Sequence, residues 1–247
     1  MINMTKLYQH DQYPTLKASF LNCKWSHFKD VHMKVAQGKC PICECMLDES
    51  VVRPTQKNTL VTVKATIDHY RPQQYYGFLK CDDENYLLMC SECNSNYKKS
   101  KFPLYPNSAT RATNKSEISN EKPLVANPII DNIYELFELV FISKNGKQIL
   151  ELHPKESLET TSYEYQKALE TVKLFGLYDC DNNIHPVPTV HNCRIDILAT
   201  HFGKFYELAK ARSKGEVDFL KKLDEMPHEK GYGFIHFIHK GQFKIAI

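Results

Sequence analysis

A chain of 247 residues, 42% hydrophobic and 25% charged, is globular and long enough to bury a sizeable core as one large domain or two small ones. Its net charge of +3 excludes nucleic-acid binding through a bulk basic field, and from Cys40 to Lys101 basic and acidic residues are equal at eight each. No apolar run approaches the length of a membrane span, and Met1–Lys6 lacks the apolar core of a signal peptide, so the expectation is a cytoplasmic protein with reduced thiols, whose nine cysteines serve metal rather than disulfides.

Residues 1–22 show no clear period. From Trp25 to Gln37 the apolar residues Trp25, Phe28, Val31 and Val35 fall at near-helical spacing, and Gly38 stops the helix. His27 and His32 lie on or near it, where surface or packing roles suit them better than ligand roles. Cys40-Pro41-Ile42-Cys43 follows, a metal knuckle. Cys45 offers a competing ligand, but the two-residue spacer favours Cys43, because it lets both thiolates reach one metal from a tight turn. After a loop or short hairpin over 44–59, the β-branched run Leu60–Ile67 reads as a strand that ends at Asp68-His69, with Pro72 marking the break. Residues 73–84 read as a mobile insertion closing on the acidic Asp82-Asp83-Glu84. Asn85 and the apolar run Tyr86–Met89 lead into the second knuckle, Cys90-Ser91-Glu92-Cys93. A helix is expected from Asn94 to about Lys101, with Phe102-Pro103-Leu104 ending it and folding back on the core. Cys23, Cys81, Cys180 and Cys193 show no paired spacing and read as small apolar residues.

Residues 106–122 are rich in Ser, Thr and Asn and read as a linker or lid-like loop. Beyond Pro123 the chain is apolar again. Tyr134–Phe141 reads as a strand, Asn145-Gly146 as a hairpin turn and Gln148–Leu152 as the partner strand. Helical patterns follow at 160–175, where Tyr163, Ala168, Val172 and Phe175 are core candidates and Gly176 the stop, then from about His191 to Leu208, and over 214–226. Residues 233–238 fit strand or helix equally, and His153, His185 and His191 are scattered without a ligand pattern.

The polar set Asp68, His69, Asn85 and Asn94 permits specific chemistry. Adjacent strand residues face opposite ways, so Asp68 and His69 can act from two sides of one phosphate. Mg²⁺ keeps most of its waters and needs few protein ligands, which Asp68 and Asn94 could supply. His69 would take a proton from water, and Asn85 would hydrogen-bond the loop that carries it. Arg71 and Lys98 could hold flanking phosphates, within a basic cluster Tyr97–Lys101. A zinc-stabilised module that only binds nucleic acid or protein has no need of this polar set.

Cys40-x-x-Cys43, Ile67-Asp68-His69-Tyr70-Arg71-Pro72, Asn85-Tyr86-Leu87-Leu88 and Cys90-x-x-Cys93-Asn94 with Lys98 resemble, in order and spacing, the zinc-stabilised ββα-metal finger of HNH nucleases over residues 40–104. The resemblance implies a structural zinc on Cys40, Cys43, Cys90 and Cys93, a catalytic Mg²⁺ or Mn²⁺ on Asp68 and Asn94, and His69 as general base. Asn94 stands where the motif ends in His or Asn. Lys101-Phe102-Pro103-Leu104, Lys122–Pro128 and Thr171–Leu177 extend the likeness to the PtuB-like HNH effectors of Septu-type and retron-associated antiphage systems. That implies an ABC-type ATPase partner, and the chain has no G-x-x-x-x-G-K-[ST] of its own. The resulting expectation is an α+β chain: a helical segment at 1–38, an HNH module at 39–105, a linker at 106–122 and a mainly helical partner-docking domain at 123–247, around which the whole is mostly helical. The expected function is metal-dependent cleavage of nucleic acid, DNA foremost. An RNA-cleaving, toxin-like effector and a non-catalytic binding module are the alternatives.

Overall fold

In the computed structural model, residues 1–20, 22–48, 50–52, 60–106, 109–144, 147–177, 206–215, 241 and 243–246 are described. The chain is α+β, with short helices and three small sheets among those residues. Helix α1 (Gln12–Ala18) precedes a 3₁₀ turn, Trp25–Phe28, which runs into α2 (Lys29–Val35). The helix expected from Trp25 thus begins as 3₁₀, and Trp25 is 46% exposed rather than part of the apolar stripe. At its end Gly38 takes φ +73°, and its N–H bonds the Met33 carbonyl at 2.8 Å. A side chain is disfavoured in that left-handed conformation.

The β-branched run does not form one strand. It breaks at Val63-Lys64 into β2 (Leu60–Thr62), paired antiparallel with β1 (Ser50–Val52), and β3 (Ala65–His69), paired antiparallel with β4 (Tyr86–Cys90). Asp48 causes the break. Its N–H donates to the Val63 carbonyl at 2.7 Å, its carboxylate accepts from the Ala65 N–H at 2.8 Å, and Lys29 pairs with it at 2.8 Å. Every residue of β4 is buried, as a continuous apolar run requires when both faces of a strand are covered. Tyr86 packs there against Phe20 and Phe28, with ring centroids 5.9 Å apart in both pairs.

The insertion at 73–85 is built from two 3₁₀ turns, Gly77–Leu79 and Asp83–Asn85. Its acids are neutralised locally. Lys17 pairs with Asp83 and Glu84 at 3.3 and 3.1 Å, Tyr13 donates to Asp83 at 2.9 Å, and Lys115 pairs with Asp82 at 2.6 Å. Phe102 folds back onto Tyr70 and Tyr76, as expected, and Leu104 bridges Pro123.

In the C-terminal part, α3 (Ile133–Leu136) leads into β5 (Phe137–Lys144), which pairs antiparallel with β6 (Lys147–Pro154) and parallel with β7 (Phe243–Ala246). Helix α4 (Tyr163–Leu174) packs on this sheet, capped by Ser162, whose hydroxyl accepts from the Tyr165 N–H at 3.1 Å. Ala168, Val172 and Phe175 are fully buried, and Gly176 at φ +57° ends the helix. Residues 206–214 are helical. The described part of 123–247 is therefore divided between sheet and helix rather than mainly helical. The helix expected over 214–226, residues 233–238, the turn Asn145-Gly146, and Cys180, Cys193, His185 and His191 lie outside the described residues, apart from 214 and Gly215.

Residues 106–122 do not hang free. Glu121, with a side chain 2% exposed, pairs with Arg71 at 3.0 Å and accepts from the Tyr76 hydroxyl at 2.7 Å and the Ala112 N–H at 2.8 Å. Removing one member of a buried charge pair strands the other in a poor solvent. Glu121→Ala is therefore expected to destabilise the protein by about 3 kcal/mol, read as a lower urea midpoint with unchanged metal content.

Candidate metal centre and active site

Four cysteines from two distant segments meet in one buried cluster. The Sγ atoms of Cys40, Cys43, Cys90 and Cys93 all lie within 4.8 Å of one another. The first knuckle turns tightly, with the Glu44 N–H on the Cys40 carbonyl at 2.8 Å and Glu44 at φ +63°. In the second, Cys90 ends β4 and Cys93 opens a six-residue helical turn, Cys93–Lys98. Backbone N–H groups point at sulfur: Cys90 N–H at Cys40 Sγ and Cys93 N–H at Cys90 Sγ, both 3.3 Å. Such donors stabilise thiolate, the form that binds metal.

The donor set fits a structural zinc. Tetrahedral zinc with Zn–S near 2.3 Å sets sulfur–sulfur edges of about 3.8 Å. Cys43 and Cys90 stand 3.7 Å apart, whereas Cys43 and Cys45 are 3.3 Å apart, too close to be two ligands of one tetrahedron. Cys45 is buried beside the cluster, and its contact with Cys40 pushes its thiol well above the usual range, so it stays a protonated neighbour.

The sulfur cluster fixes the relation of β4 to the turn that follows it, and β4 carries β3. Alternation along β3 puts Thr66 and Asp68 on the face toward the helical turn. Asn94 Nδ2 donates to Thr66 Oγ1 at 3.1 Å, and the Lys98 ammonium sits 2.6 Å from Asp68 Oδ2 and donates to the His69 carbonyl at 2.9 Å. Asp68 Oδ2 is buried with no hydrogen-bond donor aligned on it, so the contact with Lys98 is Coulombic rather than a directed hydrogen bond. Burial raises the Asp68 carboxyl above the usual carboxylate range and lowers Lys98 below the usual ammonium range, each against the pull of its partner. Desolvation is thus the larger effect on both.

His69 belongs to the other face of β3. Its ring meets Tyr86 edge-on at 5.3 Å, and Nε2 lies 3.0 Å from the Lys80 carbonyl oxygen. A carbonyl only accepts, so Nε2 carries the proton and Nδ1 of the neutral ring is the open base. Asn85 clasps the backbone two residues beyond His69: its Oδ1 accepts from the Arg71 N–H at 2.8 Å, and its Nδ2 donates to the Arg71 carbonyl at 3.0 Å.

The structure therefore gathers Asp68, His69, Asn85, Asn94 and Lys98 around the end of β3. It does not leave Arg71 and Lys98 facing flanking phosphates. Arg71 is taken up by Glu121 and by the rings of Tyr70, Tyr76 and Phe102, and Lys98 is wholly buried, whereas Lys99 and Lys101 of the same cluster are exposed. Two contributors were not foreseen. The Lys80 carbonyl has no sequence signature, and Glu121 lies 50 residues from Arg71 in a stretch read as linker. A third difference concerns sulfur. Cys23 and Cys81, read as unpaired apolar residues in a reduced protein, form a disulfide with Cα atoms 4.7 Å apart. Their separation of 58 residues carries no spacing signal, so only the fold brings them together. His32 is fully buried without a hydrogen-bond partner, and burial lowers it to about 3, so it is a neutral packing residue.

Among the described residues no helix is long and apolar enough to cross a membrane. No family model matches the chain, and no solved structure matches it. Over 162 residues, 57% of this chain, it is 28% identical to the Septu protein PtuA of Bacillus mycoides (strain KBAB4). The match spans 21% of that protein's length. The similarity is distant and partial, and it is to PtuA, not to the PtuB-like proteins that the motifs resemble.

Sulfur geometry separates the roles of the clustered cysteines. Cys45→Ser is expected to keep one zinc per chain, while Cys90→Ser loses it and about 4 kcal/mol or more of stability. Elemental analysis beside thermal melting checks both.

Proposed function

We propose that this chain is a metal-dependent endonuclease that hydrolyses phosphodiester bonds, DNA foremost, through an HNH-type site on a ββα-metal finger formed by β3, β4 and the Cys93–Lys98 turn. The observation that carries this reading is the end of β3, where a buried carboxylate lies on the face covered by Asn94 and Lys98 while an imidazole with a fixed tautomer lies on the other. A module that only binds needs neither.

Asp68 and Asn94 are the residues that would hold Mg²⁺ or Mn²⁺. The fit rests on Asp68 Oδ2, a buried oxygen with no aligned donor, beside which the fold already accommodates the positive charge of Lys98. When bound, the divalent ion supplies stabilisation of the negative charge that builds on the phosphate and the departing oxygen. His69 Nδ1 takes the proton from the water that attacks in line, and the Lys80 carbonyl holds the ring and stabilises the imidazolium that results. Asn85 keeps the backbone beyond His69 from swinging away. Because the base activates water, cleavage needs no 2′-hydroxyl, which favours no sugar over the other. Exposed Lys99 and Lys101 are the cations beside the site that can meet a phosphate backbone.

The partial similarity to a Septu protein supports a setting in antiphage defence. The resemblance to PtuB-like effectors supports an ABC-type ATPase as the partner that holds and gates the chain, with any nucleotide belonging to that partner.

The test is cleavage of plasmid DNA and of total cellular RNA by the purified chain with Mg²⁺ or Mn²⁺, alone and with the ATPase. His69→Ala is expected to lower the rate by about 100-fold or more, the scale of a general base, with zinc content and melting temperature unchanged. Cutting by that variant near the wild-type rate would overturn the assignment of the base. Cutting of RNA alone would favour the toxin-like reading, and zinc-loaded protein that cuts neither polymer would favour a binding module.

A further inference from the structure

The carbonyl that orients His69 belongs to the peptide bond joining Lys80 to Cys81, and Cys81 is one end of a disulfide. That carbonyl also accepts from the Tyr86 hydroxyl at 2.9 Å, so one backbone oxygen serves both rings packed at the end of the β3–β4 pair. The other end of the disulfide, Cys23, lies in the segment between α1 and α2. There Asn22 and Cys23 take φ values of +59° and +55°, a left-handed pair without glycine, and their conformation needs something to hold it. Phe20, three residues earlier, stacks edge-on against Tyr86 with centroids 5.9 Å apart. Both ends of the sulfur bridge therefore adjoin the surroundings of His69. Cys81 is exposed and Cys23 partly so, open to a small thiol reagent, unlike the buried cysteines of the metal cluster.

We propose that Cys23–Cys81 is a redox control site for this active centre: the disulfide pins the Lys80 carbonyl as the acceptor for His69 Nε2, and reduction releases it. The reductant is a dithiol. One of its thiolates attacks a sulfur of the bridge, the second resolves the mixed disulfide, and the products are the thiols of Cys23 and Cys81 and the oxidised, cyclic dithiol. With the bridge open, the left-handed Asn22-Cys23 pair relaxes, the turn at Lys80 loses its covalent tie, and His69 no longer has a fixed acceptor. The ring then populates the tautomer protonated on Nδ1, which cannot accept a proton from water. His69 is the reacting group; Lys80, Cys23 and Cys81 are positioning residues.

The inference rests on the endonuclease reading only for its activity readout, and the test keeps the two apart. Zinc-loaded full-length protein is compared before and after dithiothreitol, with zinc content measured in both, beside the Cys23→Ser/Cys81→Ser double variant, which leaves the metal cluster intact. Mass spectrometry of alkylated digests reads the bridge, long-range ¹⁵N–¹H spectra read the His69 tautomer, and DNA cleavage reads function. The expected result is a linked Cys23–Cys81 peptide in the untreated protein. After reduction the His69 signal shifts from Nε2–H toward a mixture, and kcat falls about tenfold, the lower end of what an orienting partner contributes. The double variant is expected to stay at the reduced level whatever the treatment. Failure of the two cysteines to bond under a mild oxidant, or an identical His69 spectrum in both states, would overturn the proposal. A tautomer that responds in protein cutting nothing would support the control contact and count against the endonuclease reading.

Discussion

Two short segments 50 residues apart must deliver four sulfurs to one small buried volume. Nearly everything at the site follows from that constraint. One knuckle terminates β4 and starts the turn that carries Asn94 and Lys98, so its sulfurs set the angle between strand and turn. The other knuckle follows α2, which brings the aromatic cluster around Phe28 onto β4. Strand β3 has no sulfur of its own. It is positioned by its ladder with β4, and through it Asp68 and His69 inherit their places from Cys90 and Cys93. A metal among those sulfurs couples folding of the finger to deprotonation of its thiols.

Beyond the finger, the next strongest constraint is ionic and aromatic. Arg71 has its guanidinium among three rings and against Glu121, and Glu121 also takes the Tyr76 hydroxyl, which in turn accepts from Arg111 at 3.1 Å. Buried charges of this kind contribute little net stability when complete, yet they penalise any arrangement that leaves a member unpaired. They specify where residues 110–122 lie more than they hold the fold together. From there the chain reaches α4, where Thr171 accepts the Ala126 N–H at 2.8 Å and Lys167 faces Asp131 at 2.5 Å. The finger and the C-terminal sheet thus share one contiguous core.

The sequence carried clear signals wherever chemistry depends on short spacing. The two C-x-x-C pairs, the Asp-His pair at a strand end, and the glycines at 38 and 176 were readable because each works through its immediate neighbours. The features that escaped depend on contacts remote in sequence. The run at 60–69 has β propensity throughout, and only Asp48, inserted from outside, splits it into strands of two sheets. Lys98 stands in a lysine-rich stretch that reads as a solvated face, but the winding of the Cys93–Lys98 turn points it inward to Asp68. The disulfide of Cys23 and Cys81 and the pairing of Arg71 with Glu121 join residues with no pattern between them. The Lys80 carbonyl is backbone, which every residue has, so composition could not mark it.

Strand β7 lies beside β5 in parallel, with Leu139 opposite Phe243 and Ile142 opposite Ala246. A parallel neighbour so far along the chain cannot be reached by a hairpin, so its pairing carries a large loop-closure cost and comes late in folding. As the chain leaves the ribosome, β5 and β6 can zip together while one edge of β5 still presents unpaired amides and carbonyls. That edge is a template for another strand until residues 243–246 have been synthesised and have docked. Any partner that stabilises the nascent protein has this interval in which to act, and the sheet is most exposed to mispairing with a second copy during it.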